Sequence, residues 1–184
     1  MKDNSTKPVV IIMVGLPASG KSTARAAAVN SGASASSYQY STDDIVERIA
    51  AEQNLTYDDA WSVHIKNATA EADGAVMAAI NNKQGVLWDQ TNMSAKKRRN
   101  IINRFGNAYR KECICMLPPF TPEQQLELER RLADRPGKNI PAFIMRSMLD
   151  SFTLPVLTEG FDRVMYFDIY GNMVDEVRAT ELFN

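Results

Sequence analysis

Val9-Val10-Ile11-Ile12-Met13-Val14 runs directly into Gly15-Leu16-Pro17-Ala18-Ser19-Gly20-Lys21-Ser22, and the reading of that junction decides the fold. An unbroken apolar run fits a strand covered on both faces, as in a parallel sheet packed between helices. The segment after it has the form G-x-x-x-x-G-K-S. Its glycines let backbone N–H groups converge on phosphate oxygens, and a helix starting near Lys21 directs its positive end at the same anion. The pattern implies a nucleoside triphosphate cradled by Gly15, Ala18, Ser19 and Gly20. Lys21 would reach the β and γ phosphates, Ser22 would ligate Mg²⁺ through its hydroxyl, and Thr23 would donate to the phosphate nearest the nucleoside. ATP and Mg²⁺ are the cofactors expected.

A chain of 184 residues with 45% apolar content can build one packed core and is short for two. One domain is expected over residues 9–184, after a flexible tail of residues 1–8. The formal charge is −1 and the pI about 5.9, so no global positive field attracts a polyanion, and a nucleic-acid partner would need a local patch. Cys113 and Cys115 lie two apart in an expected strand, a poor geometry for a disulfide, so free thiols in a reducing compartment are expected. No stretch approaches the roughly 18 apolar residues of a membrane span, and Met1–Lys7 lacks a signal-peptide core. A cytoplasmic protein without a membrane partner is the expectation.

Beyond the opening strand, the pattern alternates. Helices are expected from Lys21 to Asn30, from the Ser41-Thr42-Asp43-Asp44 start to Gln53, and from Asp58 to Asn82, where Trp61, Ile65, Ala68, Ala72, Val76, Ala79 and Ile80 recur at steps of three and four. Gly32 to Ser37 reads as a loop. Strands are expected near Tyr38–Ser41, Gly85–Trp88 and Lys111–Met116, with a helix capped by Ser94 and ending near Gly106 between the last two. Thr121-Pro122-Glu123-Gln124 reads as a capping box opening a helix to about Asp134. Arg135-Pro136-Gly137-Lys138 breaks it, and Pro141 begins another whose Ile144, Met145, Met148, Leu149 and Phe152 form a core stripe. Arg163–Ile169 and Met173–Val177 read as a hairpin with positive φ at Gly171-Asn172. The whole is an α/β fold of three layers, with a mainly parallel central sheet and a helical lid near residues 128–140. In such sheets ligands bind beyond the strands' carboxyl ends.

Several polar residues fall at that rim. Asp43 is a candidate general base for phosphoryl transfer, or a cap for the next helix, and Asp44 competes for either role. Asp89 ends a strand and could hold Mg²⁺ through a water; Thr91 and Asn92 could orient the loop or the acceptor. Arg131 and Arg135 share a helical face ahead of Pro136-Gly137 and suit a lid that neutralises transferring phosphate, although Glu127 four residues before Arg131 also makes an ordinary surface pair. Lys96-Lys97-Arg98-Arg99 is either a grip on acceptor phosphates or a solvated face. His64 has no expected chemical role.

Taken in order, G-L-P-A-S-G-K-S, S-T-D-D, D-Q-T-N and R-x-x-x-R ahead of N-I-P resemble the kinase module of polynucleotide 5′-hydroxyl kinases, a likeness covering about residues 9–168 and including Phe152-x-x-Pro155 and Glu159-Gly160-Phe161. The resemblance implies phosphate and metal binding by Lys21 and Ser22, Asp43 as the general base, Arg131 and Arg135 in the lid, and a substrate loop of Asp89, Thr91 and Asn92. It implies a DNA or RNA acceptor. Many members carry an arginine three residues after the base for a substrate phosphate; here Val46 stands there and the nearest arginine is Arg48. The phosphatase domain that often accompanies this kinase is missing, so a free-standing kinase is implied. Similar phage kinases phosphorylate the hydroxymethyl group of a modified pyrimidine in DNA, and a small-metabolite kinase of the same fold is a further alternative. A GTP switch is disfavoured because Asn82-Lys83-Gln84-Gly85 lacks an aspartate after N-K-x, and a non-catalytic nucleotide-binding module is disfavoured by the retained Lys21, Ser22, Asp43, Arg131 and Arg135.

Overall fold

The computed structural model describes residues 7–30, 37–135, 138 and 140–179. Most of the tail, most of the loop expected at Gly32–Ser37, and Pro136 and Gly137 of the expected break lie outside the described residues.

One sheet contains β1 (Val9–Val14), β2 (Tyr38–Tyr40), β3 (Val86–Trp88), β4 (Arg110–Met116), β5 (Arg163–Phe167) and β6 (Met173–Arg178), in the order β2-β3-β1-β4-β5-β6. The first five are mutually parallel, and β6 turns back antiparallel to β5. The apolar run of β1 has its explanation in this position. Val10, Ile12 and Val14 face Trp88, Phe105, Cys113 and Cys115 on one side, while Ile11 and Met13 face Leu87, Ile114 and Met116 on the other. A strand central in the sheet has no polar face to offer. The two cysteines are buried, free thiols.

The helices are α1 (Lys21–Asn30), α2 (Thr42–Gln53), α3 (Tyr57–Asn81), α4 (Ala95–Phe105), α5 (Pro122–Ala133) and α6 (Ala142–Asp150). Side-chain caps set their starts: Ser41 Oγ accepts from Asp44 N at 3.1 Å, Ser94 Oγ from Lys97 N at 3.3 Å, and Thr121 Oγ1 from Gln124 N at 3.3 Å. The reciprocal bond of the expected capping box is displaced by one residue, since Gln124 accepts from Phe120 N at 3.0 Å rather than from Thr121. On α3, Ala60, Ala68, Ala72, Val76 and Ala79 are buried, whereas Trp61 of the expected stripe is 38% exposed.

Two further expectations change. The α6 stripe has no fully buried residue; Met145, Met148 and Leu149 pack half-buried against Leu16, Met93, Leu128 and Ile169. In the hairpin turn only Gly171 takes a positive φ, because Asp168 Oδ1 accepts from Tyr170 N and Asn172 N at 2.9 and 2.8 Å and holds Asn172 in place. No described helix is long and apolar enough to cross a membrane.

The basic run of α4 is split by the fold. Arg98 is fully buried. Its guanidinium donates to Glu159 at 2.8 and 2.6 Å, to the carbonyls of Asn92 and Met93 at 3.1 and 2.8 Å, and to Thr153 at 3.1 Å. This one side chain ties α4, the loop after β3 and the Glu159-Gly160-Phe161 segment together. Removing one partner of a buried, hydrogen-bonded ion pair strands the other charge. Glu159→Ala should therefore lower the unfolding free energy by about 3–5 kcal/mol in urea titrations followed by circular dichroism, while truncating the exposed Arg146–Asp150 pair should leave the midpoint unmoved.

Candidate active site

The loop between β1 and α1 is held from both ends. Gly15 N donates to the Thr91 carbonyl at 3.0 Å, which joins the tip of the central strand to the segment after β3. Gly15 has φ +150°, and a Cβ there would lie 2.7 Å from Ser19 Oγ and 2.9 Å from Met116 Cβ. Only glycine fits that close approach. Gly20 at φ +101° and Ala18 at φ +62° turn the loop onward into α1. The Lys21 ammonium folds back and donates to the Gly15 and Leu16 carbonyls at 3.0 and 2.7 Å. Burial pulls its pKa down to about 8, against the raising effect of Asp89 and Asp43, with Arg135 adding to the depression. Ser19 Oγ is buried with no hydrogen-bond partner among the described residues. Such a donor, with a cradle that a Cβ would fill, fits a polyphosphate.

The loop opens into a cleft of about 930 Å³ walled by the start of α2, residues 89–91, Tyr57 and Trp61 of α3, the end of α5, and α6. Asp43 stands in this cleft. Because Ser41 caps α2, the Asp43 carboxylate is not used for capping, and it lies near enough to the Tyr57 hydroxyl for the two groups to interact. Burial, followed by the Asp43 charge, raises the Tyr57 pKa, so the phenol stays a donor. Asp44 is engaged elsewhere. Arg25 Nη1 sits 2.8 Å from Asp44 Oδ2 and 3.1 Å from Asp89 Oδ2, bridging α2 and the β3 tip. Burial raises the Asp89 pKa despite the opposing Lys21 and Arg25 charges.

At the far wall, Arg131 donates through Nε to Glu127 at 2.6 Å and through Nη1 to the Ile169 carbonyl at 2.9 Å, so the ordinary helix pair and the cleft position coexist. Arg135 lines the cleft too, with Nη1 buried and unpartnered among the described residues. Lys138 pairs with Glu47 and lies 4.2 Å from the Tyr57 ring centroid. Ser22, Thr23 and Thr91 line the cleft.

Two expected substrate residues are not in the cleft. Asn92 is wholly buried; its side-chain amide donates to the Met13 carbonyl at 2.8 Å, making it a brace between β1 and the loop after β3. Arg48 points away and pairs with Glu52 and Glu71 at 3.3 and 2.8 Å, because its place on α2 faces α3 and solvent instead of the loop. Beside the cleft, a second cavity of about 420 Å³ runs under the sheet, reached past Gly20, Thr23, Arg131 and Tyr170 and floored by Ile11, Ile114, Met116 and Met165.

A family model described as an AAA domain, AAA_33, matches residues 10–155. The chain belongs to the AAA_33 family. Solved structures agree in fold. A proposed kinase from Chloroflexus aurantiacus J-10-fl matches at TM-score 0.63 and 14% identity over 89% of each chain. A structure from the PezAT chromosomal toxin–antitoxin system of Streptococcus pneumoniae matches at TM-score 0.61 and 16% identity, over 98% of this chain and 78% of that one. The Pnkp1/Rnl/Hen1 RNA repair complex contains a match at TM-score 0.58 and 21% identity, over 82% of this chain and 46% of that one. At these identities the likeness is one of fold.

In this AAA_33 domain two residues at the site carried no mark in the sequence. Arg25, beside the cleft, lies four residues after Lys21, hence on the same face of α1, the single local signal available for it. Tyr57 reaches the cleft only through the packing of α3, and Gln90 of the D-Q-T-N motif donates to Thr42 at 3.3 Å. Among the described residues no group of three or more His, Cys, Asp or Glu side chains could hold a metal by itself. A Mg²⁺ ion would rest on Ser22, phosphate oxygens and water, with Asp89 behind the water, which is how this hard cation is commonly held.

An anion entering the loop binds the protonated Lys21. With the free pKa at about 8, affinity for inorganic tripolyphosphate should fall as pH rises through that value, because the proton must then be taken up. Calorimetric titration of the chain beside Lys21→Arg cancels the ligand's own ionisation, and the affinity of the unaltered chain relative to the variant should fall between pH 7 and 9.5.

Proposed function

We propose that this protein is an ATP- and Mg²⁺-dependent kinase that transfers the γ-phosphoryl group to a hydroxyl of nucleic acid, foremost the 5′-hydroxyl end of DNA or RNA. The observation that carries the reading is one cleft holding Lys21, a buried Arg135 nitrogen without a partner among the described residues, and the Asp43 carboxylate beside Tyr57. Donor groups and an acceptor base are the parts phosphoryl transfer needs, since its chemistry is positioning and charge neutralisation.

On this reading the loop backbone from Gly15 to Gly20 and the Ser19 hydroxyl bind the polyphosphate, and Lys21 leaves its own carbonyls for the β and γ oxygens. Thr23 and the cavity beside Tyr170 receive the nucleoside end, with Arg131 at the border between the two spaces. Mg²⁺, when bound, neutralises charge on the phosphate oxygens. Asp43 takes the proton of the attacking hydroxyl as its oxygen bonds to the γ phosphorus; the bond to the bridging oxygen breaks and ADP leaves. Arg135, with Arg131, balances the charge spread over the equatorial oxygens, and residues 128–140 act as the lid of a single kinase domain. Asp89, itself held by Arg25, would hold Mg²⁺ through a water. The nucleic-acid acceptor is supported by the ordered motifs shared with polynucleotide kinases and by the RNA repair complex among the similar folds. The near-neutral charge is what a small-metabolite kinase would also carry.

Labelled ATP offered with a 5′-hydroxyl oligonucleotide, a duplex containing 5-hydroxymethyluracil, and a panel of nucleosides and sugar acids separates the acceptors; label in the oligonucleotide is the expected result, and label confined to the sugar acids overturns the nucleic-acid reading. Asp43→Asn should cut kcat by about 10²–10⁴ while ATP affinity stays within about twofold, since no donor contact is removed. Unchanged turnover in that variant removes Asp43 as the base.

A further inference from the structure

No arginine stands on the acceptor side of the cleft at the position three residues after Asp43. Val46, which takes that place, is fully buried among Ala50, Ala60 and Ala68, and Arg48 is tied to glutamates outside the cleft. Neither can touch an acceptor phosphate. The first turn of α4 supplies a different cation. Lys97 lines the cleft, its ammonium makes no hydrogen bond or ion pair to a described residue, and it lies near enough to Asp43 for the two charges to interact. Its neighbours in the basic run do not compete: Arg98 is consumed by Glu159, and Lys96 and Arg99 do not line the cleft. A free cation in the first turn also opposes the helix dipole, so helix stability does not account for it.

Trp61 is the second odd feature. It occupies a position in the α3 pattern that reads as core, yet it is 38% exposed and lines the same cleft. Its ring lies 5.8 Å from that of Tyr57, tilted by 36°, and Ile140, Pro141, Ile144 and Met148 line the cleft as well. The acceptor space therefore combines a carboxylate for a hydroxyl, a lysine without a partner among the described residues and an aromatic, apolar surface. A nucleotide unit offers the three matching groups together: a 5′-hydroxyl, a 3′-phosphate and a flat base.

We propose that Lys97 and Trp61 form the acceptor subsite, Lys97 taking the phosphate on the 3′ side of the reacting nucleoside and Trp61 stacking its base. This rests on the reading of the protein as a nucleic-acid kinase with Asp43 as its base. Charge-assisted hydrogen bonds and base–aromatic stacking each contribute enough to be read as acceptor discrimination.

Steady-state kinetics of the whole chain with Mg²⁺ and ATP test it, using thymidine 3′-monophosphate, thymidine, and a 5′-hydroxyl oligonucleotide with or without its terminal base. The unaltered protein should favour thymidine 3′-monophosphate over thymidine by roughly 10- to 100-fold in kcat/KM. Lys97→Met should bring that ratio near one through KM, and Lys97→Arg should retain most of it. Trp61→Ala should raise KM by roughly 5- to 100-fold for the oligonucleotide with its terminal base and leave the abasic one unmoved; Trp61→Phe should restore most of the loss. A 3′-phosphate preference surviving in Lys97→Met, or equal losses on both oligonucleotides in Trp61→Ala, overturns the subsite while the kinase reading stands. If no nucleotide or oligonucleotide is phosphorylated by the unaltered protein, the nucleic-acid reading fails and the subsite falls with it.

Discussion

The hydrogen bond from Gly15 N to the Thr91 carbonyl, 3.0 Å long, is the constraint on which the cleft depends. It brings the carboxyl tip of the central strand against the segment after β3, at a spacing no side chain at Gly15 would permit. That one approach fixes the rest of the geometry. Asp89 and Thr91 are set beside the loop, Met116 at the end of β4 closes its other side, and α1 leaves with Lys21 and Arg25 on the face turned to the cleft. Asn92 and Arg98 serve the same junction from behind, the first by bonding the Met13 carbonyl and the second by bonding the carbonyls of Asn92 and Met93.

Charge in the cleft is arranged so that like groups are held apart and unlike groups are not fully spent. Arg25 binds both Asp44 and Asp89, while Asp43 makes no ion pair to a described residue and stands in the cleft beside Tyr57. Lys21 rests on carbonyls of its own loop, contacts that a polyphosphate would replace at small cost because the ammonium is already desolvated. Arg135 keeps a buried nitrogen without a described partner. Unsatisfied donors of this kind destabilise the unliganded protein and favour anion binding by the same amount of unmet hydrogen bonding. Site residues that look inefficient as structure are consistent with a ligand that completes them.

The strand-loop-helix junction, the caps at Ser41, Ser94 and Thr121, and the alternation that gives a parallel sheet were legible because each is written in local spacing. Other features were not. Asn92 and Arg98 both look like surface polar residues in a loop and a basic run, and both prove to be interior braces, since burial depends on Glu159 and Met13, far off in the chain. Trp61 has the spacing of a core residue and instead lines the cleft, half-exposed beside Tyr57. The Ile144–Phe152 stripe is apolar for two reasons at once, half packing against the core and half walling the cleft, and periodicity cannot separate them.

By itself the sequence determined the sheet's central strand, the phosphate loop and the set of polar residues near the strand tips, because backbone conformation at glycine and hydrophobic period act over a few residues. Tertiary structure alone decided which of Asp43 and Asp44 is free, that Arg25 holds the other, that Arg48 is outside and Lys97 inside. Those outcomes turn on distances between side chains tens of residues apart, fixed by how helices lie across the sheet, and no local pattern encodes them.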